Sequence, residues 1–250
     1  MSLDGRNVVV TAGGSNLGAA ISEAFARVGA NVAINHRSSS EQAAHLAERL
    51  RDIYGGIHIA TQADVGLGED VRRMVDDVGS RLGPVGILVN NAGPFSKTPY
   101  VDMAEKEWDE VVGSNLKAAY LCAAGFAPAM RKEGWGRIVN VSAVSAYVRN
   151  RSVYGLVKAS LHTLTESLAI ELGPEVTVNA LAPGQIVESL GDMTSIDPAW
   201  AESVSNETPM GRLVTRAEVA ELAVLLCSEP FDLVTGAVLP VEGGLRIPSF

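Results

Sequence analysis

The segment NVVVTAGGSNLG occupies residues 7–18, and it passes from a run of β-branched residues through a glycine-rich turn into a helical pattern. β-Branched residues favour strands, and small residues allow the tight turn that brings backbone amides at a helix N-terminus against a phosphate group. A glycine-rich turn that binds nothing has the same composition. The segment therefore predicts a strand, a tight turn and a helix in that order, with a phosphate site as one interpretation of the turn.

The same alternation of apolar runs and helix-period segments continues along the chain. The predicted strands are residues 7–11, 31–35, 57–61, 85–90, 137–142, 176–181 and 237–241. The predicted helices are residues 17–29, 40–54, 68–82, 105–132, 153–173 and 215–228. Because strands that alternate with helices form parallel sheets covered on both faces, we predict one Rossmann-like, doubly wound α/β domain over residues 1–250, with about seven mostly parallel strands. Residues 185–210, which include Pro198 and Pro209, are predicted to form an irregular loop or lid over a site.

Composition and charge restrict the kinds of protein that the chain can be. Of its 250 residues 47% are hydrophobic and 20% are charged, and its formal net charge of -9 argues against a nucleic-acid partner. Cys122 and Cys227 lie in apolar helical patterns without metal-ligand spacing, so we predict buried free thiols and no metal site. The sequence contains neither a signal-peptide pattern nor an apolar run of membrane-spanning length. We therefore expect a cytoplasmic protein with no membrane partner.

Polar and small residues follow successive predicted strands, at the edge where a doubly wound sheet binds its ligands. After the second strand the sequence is NHRSSS, in which Arg37 and Ser38 suit a 2′-phosphate better than a ribose hydroxyl, although Arg37 is also compatible with a solvated surface charge. Asp64 follows the third strand and NNAG, residues 90–93, ends the fourth; a helix cap and a simple turn have the same appearance. Their occurrence at strand after strand favours a dinucleotide site, with NADP(H) preferred over NAD(H).

Tyr154 and Lys158 are four residues apart in a predicted helix, so their side chains lie on one face. A nearby ammonium favours a phenolate, and we therefore expect Lys158 to lower the pKa of Tyr154. Such a pair can move a proton to or from the oxygen of a carbonyl or alcohol while a nicotinamide exchanges hydride with the carbon. A tyrosine and a lysine at this spacing are also common on amphipathic helices that carry no chemistry.

Several of these motifs together resemble the short-chain dehydrogenase/reductase family over essentially the whole chain. They are TAGGSNLG, NNAG, Tyr154-x-x-x-Lys158, the Pro-Gly pair at 183–184, PMGRLVTRAEVAELAVLL and LPVEGG. In detail the chain is similar to the branch of 3-oxoacyl-[acyl-carrier-protein] reductases and related carbonyl reductases. The resemblance implies that Tyr154 is the proton donor, that Lys158 also binds the nicotinamide ribose, and that Asn115 belongs to a proton relay. From the residues alone, Asn115 is equally a mid-helix polar group that bonds locally.

The resemblance also implies a set of cofactor-binding residues and an oligomer. The residues are Thr11, Gly13, Ser15, Asn16, Leu17, Gly18, His36, Arg37, Ser38, Asp64, Val65, Asn91, Ala92, Gly93, Tyr154, Lys158, Pro183, Gly184 and Ile186. Residues 11–18 would wrap the pyrophosphate and adenosine ribose, Asp64 and Val65 would flank the adenine, and residues 183–186 would border the nicotinamide. A homotetramer or dimer would form through residues 105–132, residues 153–173 and the C-terminal segment.

Two departures from the family pattern concern the cofactor. Ala12 and Asn16 stand where the first two glycines of the loop are usual, and a positive φ at either would cost about 1 kcal/mol, less for asparagine. Glu188 stands where threonine is frequent after the Pro-Gly pair, and its carboxylate is unfavourable beside cofactor phosphates unless it turns away or is paired.

A third departure concerns the hydroxyl that polarises the substrate. Counted from Asn115, the family's active-site serine falls on Ala143, and Tyr154 follows two residues earlier than is usual. The shortened loop would allow Ser142, or secondarily Ser145, to supply the hydroxyl; alternatively neither contacts substrate, since side chains alternate along a strand. We take Ser142 as the candidate.

The leading hypothesis is an NADP(H)-dependent enzyme that transfers hydride between nicotinamide and a carbonyl or secondary alcohol, with a small-molecule substrate such as a small ketone or an acyl-carrier-linked 3-oxoacyl thioester. The alternative is a cofactor-binding protein with weak or no catalysis, a sensor or a silent subunit, as Ala12, Asn16 and Ala143 suggest. Intact Asn115, Tyr154 and Lys158 argue for the enzyme.

Overall fold

A computed structural model describes residues 3–148, 152–192 and 198–247, apart from the side chains of residues 190–192 and 198–201. Within these ranges seven strands form one sheet. The strands are β1 (Asn7–Val10), β2 (Asn31–His36), β3 (His58–Gln62), β4 (Ile87–Asn90), β5 (Gly136–Val141), β6 (Val176–Pro183) and β7 (Val238–Val241). Every neighbouring pair is parallel, in the order β3-β2-β1-β4-β5-β6-β7. The predicted single, doubly wound α/β domain is confirmed.

Helices connect the strands in the same described ranges. They are α1 (Asn16–Arg27), α2 (Ser40–Tyr54), α3 (Gly68–Leu82), α4 (Glu105–Val112), α5 (Ala118–Lys132), α6 (Val153–Leu172), α7 (Val187–Asp192), α8 (Pro198–Glu207) and α9 (Arg216–Leu225). A π-helical turn (Gly113–Lys117) joins α4 to α5, and short 3₁₀ helices lie at Val144–Ala146 and Glu229–Phe231. None of these helices is both long enough and apolar enough to cross a membrane.

The sheet is buried on both faces, which explains why its strands are continuous apolar runs. Side chains alternate along a strand, so Val8 and Val10 of β1 pack into the core beside α1 and α9, whereas Val9 packs into the core beside α3, α5 and α6. Strand order reverses at β1, whose neighbours are β2 and β4. The crevice beyond the carboxyl ends of these strands is the usual ligand site of such a sheet.

Two predicted segments differ from the structure. Residues 105–132 do not form one regular helix, because the π-helical turn at Gly113–Lys117 interrupts them. Residues 185–210 are not a purely irregular piece, since they contain α7 and α8; residues 193–197 lie outside the described ranges. Pro198 is the first residue of α8 and Pro209 follows its end, so both prolines mark helix boundaries.

Candidate active site

The turn between β1 and α1 is tightly closed. Ala12 and Asn16 adopt φ angles of 50° and 49°, so both positions that depart from the usual glycines have the left-handed backbone that was expected to cause strain. A Cβ on Gly18 would lie 2.1 Å from the Ala12 carbonyl oxygen, which requires glycine there. The amide of Gly13 donates to the carbonyl oxygen of Asn35 over 2.9 Å. The turn therefore keeps its compact shape at the expense of two strained residues.

A cavity of about 300 Å³ begins at this turn and follows the carboxyl edge of the sheet. The predicted cofactor residues that line it are Ser15, His36, Arg37, Ser38, Asp64, Val65, Ala92 and Gly93. Ala12 and Gly14, from the predicted range 11–18, also line it. Lining residues that the sequence reasoning did not include are Asn35, Ser39, Ala63, Pro94 and Ser114. Residues at the carboxyl ends of β1, β2, β3 and β4 thus meet at one cavity, as expected where parallel strands end at the same edge of a sheet.

Thr11 and Asn91 do not line this cavity, but they join the end of β1 to the end of β4. The Thr11 hydroxyl oxygen accepts hydrogen bonds from the amides of Asn91 and Ala92, each over 2.9 Å. The Asn91 side-chain amide donates back to the Thr11 carbonyl oxygen over 3.1 Å. These side chains fix the geometry of the turn, and Thr11 is itself buried.

Asn35 is a positioning residue that the sequence reasoning missed. Its Oδ1 accepts from the Ala12 amide over 3.2 Å, and its Nδ2 donates to the Ala63 carbonyl oxygen over 3.2 Å. It therefore ties the turn after β1 to the end of β3. The available signal was a polar residue directly after the apolar run Val32–Ile34, because an amide at the end of a buried strand needs partners.

Arg37 lies at one end of the cavity and pairs with carboxylates. Its guanidinium is 3.9 Å from Asp64 Oδ2 and 3.6 Å from Glu110 Oε1, and its side chain is 58% exposed. Ion pairs as open as these contribute little to stability, so they leave the guanidinium available to another anion. Beside it, burial lowers the pKa of His36, whose Nδ1 has no hydrogen-bond partner among the described residues.

Asn115 lies in the π-helical turn. Its Nδ2 donates to the carbonyl oxygens of Val111 over 3.0 Å and Pro94 over 3.1 Å, so its bonding is partly local and partly to the loop after β4. Its Oδ1 is buried and, within the described ranges, has no partner. A Cβ on Gly93, where φ is 149°, would lie 2.0 Å from that oxygen. Gly93 is thus needed for the close approach of Asn115 to the end of β4.

Tyr154 and Lys158 share one face of α6, as predicted. The Lys158 Nζ is 5.3 Å from the centre of the Tyr154 ring, and the ring of Phe95 meets Tyr154 edge-on with centres 5.1 Å apart. The expected lowering of the tyrosine pKa does not occur: burial raises the pKa of Tyr154 from 10.0 to about 12. Burial also lowers the pKa of Lys158 from 10.5 to about 7, because loss of solvation penalises the ammonium.

Ser142, the candidate for the hydroxyl that polarises the substrate, is hydrogen-bonded to α6, and its contact with substrate stays a prediction. Its buried Oγ donates to the carbonyl oxygen of Lys158 over 2.9 Å and lies 2.9 Å from His162 Nε2, so both partners belong to α6. Asn140, two residues earlier, also bonds α6, through Thr165. The side chains of residues 140 and 142 therefore face α6 together, as strand alternation requires, and Ser142 fastens β5 to this helix.

The residues after β6 form a separate part of the same edge. The amide of Gly184 donates a hydrogen bond to the carbonyl oxygen of Val241, in β7, over 2.9 Å. Ile186 forms an isolated parallel bridge with Val214. Both Glu188 carboxylate oxygens accept from the Arg216 amide over 3.1 Å at the start of α9. Glu188 is thus paired with a helix N-terminus. Pro183, Gly184 and Ile186 do not line the 300 Å³ cavity.

A parallel sheet with a glycine-rich turn after its first strand and a tyrosine–lysine pair at its carboxyl edge defines a dinucleotide-dependent oxidoreductase of the Rossmann class. A family model described as enoyl-(acyl carrier protein) reductase matches residues 11–246. The chain is 36% identical over 250 residues to a 3-oxoacyl-[acyl-carrier-protein] reductase of Pseudomonas aeruginosa, with 98% of this chain and 99% of that protein covered.

Solved structures give the same result. A gluconate 5-dehydrogenase from Burkholderia cenocepacia in complex with NADP and tartrate has a TM-score of 0.92 at 31% identity, covering 99% of this chain and 98% of that one. A 7α-hydroxysteroid dehydrogenase complexed with NADH and 7-oxo glycochenodeoxycholic acid has a TM-score of 0.91 at 30% identity, covering 97% and 95%. The chain belongs to the short-chain dehydrogenase/reductase family, whose members interconvert alcohols and carbonyls with a nicotinamide cofactor.

Proposed function

We propose that the protein is an NADPH-dependent carbonyl reductase whose substrate is a 3-oxoacyl thioester or a small ketone. The observation that carries this proposal is the Tyr154–Lys158 pair on one face of α6, at the same carboxyl edge of the sheet as the 300 Å³ cavity. The reaction is reversible, so oxidation of the corresponding alcohol uses the same groups.

The cavity has features that fit a nicotinamide dinucleotide. Two buried polar atoms, His36 Nδ1 and Asn115 Oδ1, lack partners within the described residues, and buried polar atoms are normally satisfied. The first turn of α1 has no side-chain cap, which leaves its amides for a phosphate. Residues 11–18 would hold the pyrophosphate and the adenosine ribose, Asp64 and Val65 would flank the adenine, and Pro183, Gly184 and Ile186 would border the nicotinamide. When bound, NADPH supplies the hydride that reduces the carbonyl carbon.

The tyrosine and lysine supply the proton. Since burial raises the pKa of Tyr154 to about 12, the phenol is protonated at neutral pH, as a donor to a developing alkoxide must be. Proton donation leaves a phenolate, and the ammonium form of Lys158 stabilises that anion. With a pKa of about 7, Lys158 can then return a proton to the phenolate without a large energetic barrier. Asn115 would continue the relay toward solvent.

The preference for NADPH rests on the end of β2. A carboxylate there would repel a 2′-phosphate, whereas the exposed guanidinium of Arg37 can exchange its weak pairs with Asp64 and Glu110 for a doubly charged phosphate. Ser38 and Ser39 line the same end and add hydroxyl donors. The related gluconate dehydrogenase is described with NADP and the related steroid dehydrogenase with NADH, so the family accommodates both cofactors.

An apolar rim supports a substrate with a hydrocarbon portion. The exposed ring of Phe95 lies against Tyr154, and Tyr100 nearby donates its hydroxyl to the Ser152 carbonyl oxygen over 2.9 Å. These residues belong to the loop after β4, and residues 185–210 would form the opposite wall as a lid. The 36% identical relative is named for a 3-oxoacyl group on acyl carrier protein, which places that thioester first among substrates to assay.

The test is a comparison of cofactor binding with turnover. NADPH fluorescence should report binding to the purified protein, and a panel of small ketones and 3-oxoacyl thioesters should consume NADPH. Binding without any turnover would favour the second candidate, a cofactor-binding protein without catalysis, which Ala143 and the core position of Ser142 suggest.

An oligomer would cover an apolar face formed by α5 and α6. A groove of about 530 Å³ between these helices is lined mainly by Tyr120, Ala124, Ala127, Pro128, Leu164 and Leu168, and Tyr120 is 53% exposed. Exposed apolar patches of this kind mark association sites. A second copy of the chain is the proposed occupant, giving a dimer or tetramer.

The two cysteines support the cytoplasm as the proposed compartment. Cys122 and Cys227 are both free and buried, as the sequence predicted. Burial raises the pKa of each thiol to about 12, so neither is poised to react.

A further inference from the structure

Ser145 carries a buried hydroxyl that has no hydrogen-bond partner among residues 3–148, 152–192 and 198–247. It is the middle residue of the 3₁₀ helix Val144–Ala146, which follows β5 at the carboxyl edge of the sheet. A buried hydroxyl without a partner is destabilising and is rare in folded proteins. An unsatisfied hydroxyl at this edge therefore needs an explanation.

The segment that carries Ser145 is fastened to α6 by two hydrogen bonds to Lys158. The carbonyl oxygen of Val141 accepts from Lys158 Nζ over 2.8 Å, and the Ser142 hydroxyl donates to the Lys158 carbonyl oxygen over 2.9 Å. The 3₁₀ helix itself packs against α6. Ser145 is thus held close to the helix that presents Tyr154 and Lys158.

The neighbouring positions are less suited to supply a hydroxyl to substrate. Ala143 has none, and Ser142 would have to break its contacts with Lys158 and His162. The Ser145 hydroxyl has no partner within the described residues, so it could bind substrate without breaking a hydrogen bond there. Because the residue as a whole is partly exposed, rotation to another staggered position of its side chain can expose the hydroxyl at the carboxyl edge of the sheet.

The geometry points to Ser145 as a further catalytic residue, whose hydroxyl donates a hydrogen bond to the carbonyl oxygen of the substrate. This inference rests on the proposed function. During reduction the Ser145 O–H bond stays intact: the oxygen that becomes the alcohol takes its proton from Tyr154, and Ser145 stabilises the negative charge that develops on it. The Ser145 hydroxyl would then be satisfied when substrate is bound.

The test compares Ser145→Ala with Ser142→Ala as the matched control. On a substrate that the wild type reduces, Ser145→Ala should lower kcat about 10- to 1000-fold, the range for loss of one such donor, with NADPH affinity unchanged. The melting temperature of the cofactor-free Ser145→Ala protein should not fall, because no hydrogen bond is lost. Ser142→Ala should instead lower the melting temperature by about 2–4 °C or more, since it removes buried hydrogen bonds.

A relocated hydroxyl provides the second arm of the test. Adding Ala143→Ser to Ser145→Ala should restore part of the lost kcat if the position beside substrate can be filled from residue 143. Full activity of Ser145→Ala overturns the inference, as does a loss of melting temperature as large as that of Ser142→Ala, which would indicate a structural role. If the wild type binds NADPH but reduces no member of the carbonyl panel, the proposed function fails and the inference fails with it. If the wild type is active and Ser145→Ala is equally active, only the inference is refuted.

Discussion

The Nζ of Lys158 donates a hydrogen bond to the carbonyl oxygen of Val141 over 2.8 Å, which joins the helix of the candidate active site to the last residue of β5. The lysine is buried, and its pKa falls from 10.5 to about 7 because burial penalises the ammonium. One backbone carbonyl does not replace the water that the charge has lost. Both the chemistry proposed for this group and the stability of the fold should therefore depend on pH.

The first prediction concerns that pH dependence. Between pH 7 and 10.5 the unfolded chain keeps a proton on Lys158 that the folded protein has released, so stability should rise with pH in this window. Below pH 7 both states are protonated and the cost of burial is fully present. Urea unfolding at pH 7, 8 and 9 gives the slope of the free energy of unfolding against pH. The wild-type slope should be steeper than that of Lys158→Met by up to about 1 kcal/mol per pH unit. Lys132→Met, at an exposed position of α5, is the control and should keep the wild-type slope; equal slopes for all three proteins would contradict the prediction.

Tyr154→Phe should remove the proton donor while leaving the fold and the cofactor cavity intact. We expect turnover to fall by at least about 100-fold, the usual contribution of a positioned acid or base. NADPH binding, measured by fluorescence titration, should change little, since the residues that line the 300 Å³ cavity and would hold the adenine and pyrophosphate are unchanged. A variant that reduces substrate at the wild-type rate would show that the proton comes from another group.

Arg37→Asp should weaken NADPH binding and favour NADH. Loss of a charge-assisted contact to the 2′-phosphate is expected to raise the Kd of NADPH by about 10- to 100-fold, while the new carboxylate can accept from a ribose hydroxyl. Arg51→Asp, in the last turn of α2, makes the same charge change away from the cavity and serves as the control. An unchanged ratio of the two Kd values in Arg37→Asp would remove Arg37 from the cofactor site.

Ala12→Gly should stabilise the protein, because Ala12 has a φ of 50° that glycine adopts without strain. We expect a gain of about 0.5 kcal/mol in the free energy of unfolding, since the greater entropy of glycine in the unfolded chain offsets part of the relief. Asn16→Gly, at a φ of 49°, should gain less because asparagine tolerates this region better. Urea unfolding measures both changes, and a loss of stability in Ala12→Gly would contradict the strain at this position.

Tyr120→Asp should dissociate the proposed oligomer by placing a charge in the groove between α5 and α6. Light scattering after size-exclusion chromatography should give a smaller mass for the variant than for the wild type. Ile53→Asp, at a similarly exposed apolar position on α2, should leave the mass unchanged. A monomeric wild type, or a variant of unchanged mass, would exclude this face as the interface.

Much of the fold was predictable because local patterns and global topology agree. The seven apolar runs became the seven strands to within two residues at either end, and α2 and α3 have the predicted bounds. The π-helical turn was not predictable, since it arises where Asn115 bonds back to Val111 and across to Pro94. The helix at Pro198–Glu207 was missed because its prolines were taken as signs of irregular structure, although they bound a helix.

The candidate site was predicted in part, and the errors follow from contacts between distant segments. Glycine spacing and strand exits identified eight residues that line the cavity, including Arg37 and Asp64. Asn35 was missed because its role depends on Ala12 and Ala63, which belong to other strand exits. The pKa of Tyr154 moved opposite to expectation because burial, which the sequence does not reveal, outweighed the charge of Lys158.

The sequence by itself determined the order of strands and helices, the family and the shared face of Tyr154 and Lys158, because each depends on residues close together in the chain. It also showed that Ala143 stands where a hydroxyl was expected. Only the tertiary structure decided what the nearby serines do. Where β5 packs against α6, the Ser142 hydroxyl bonds to Lys158 and His162, and the Ser145 hydroxyl has no partner among the described residues. The sequence does not reveal this, because the helix that covers the end of a strand determines which of its faces is buried.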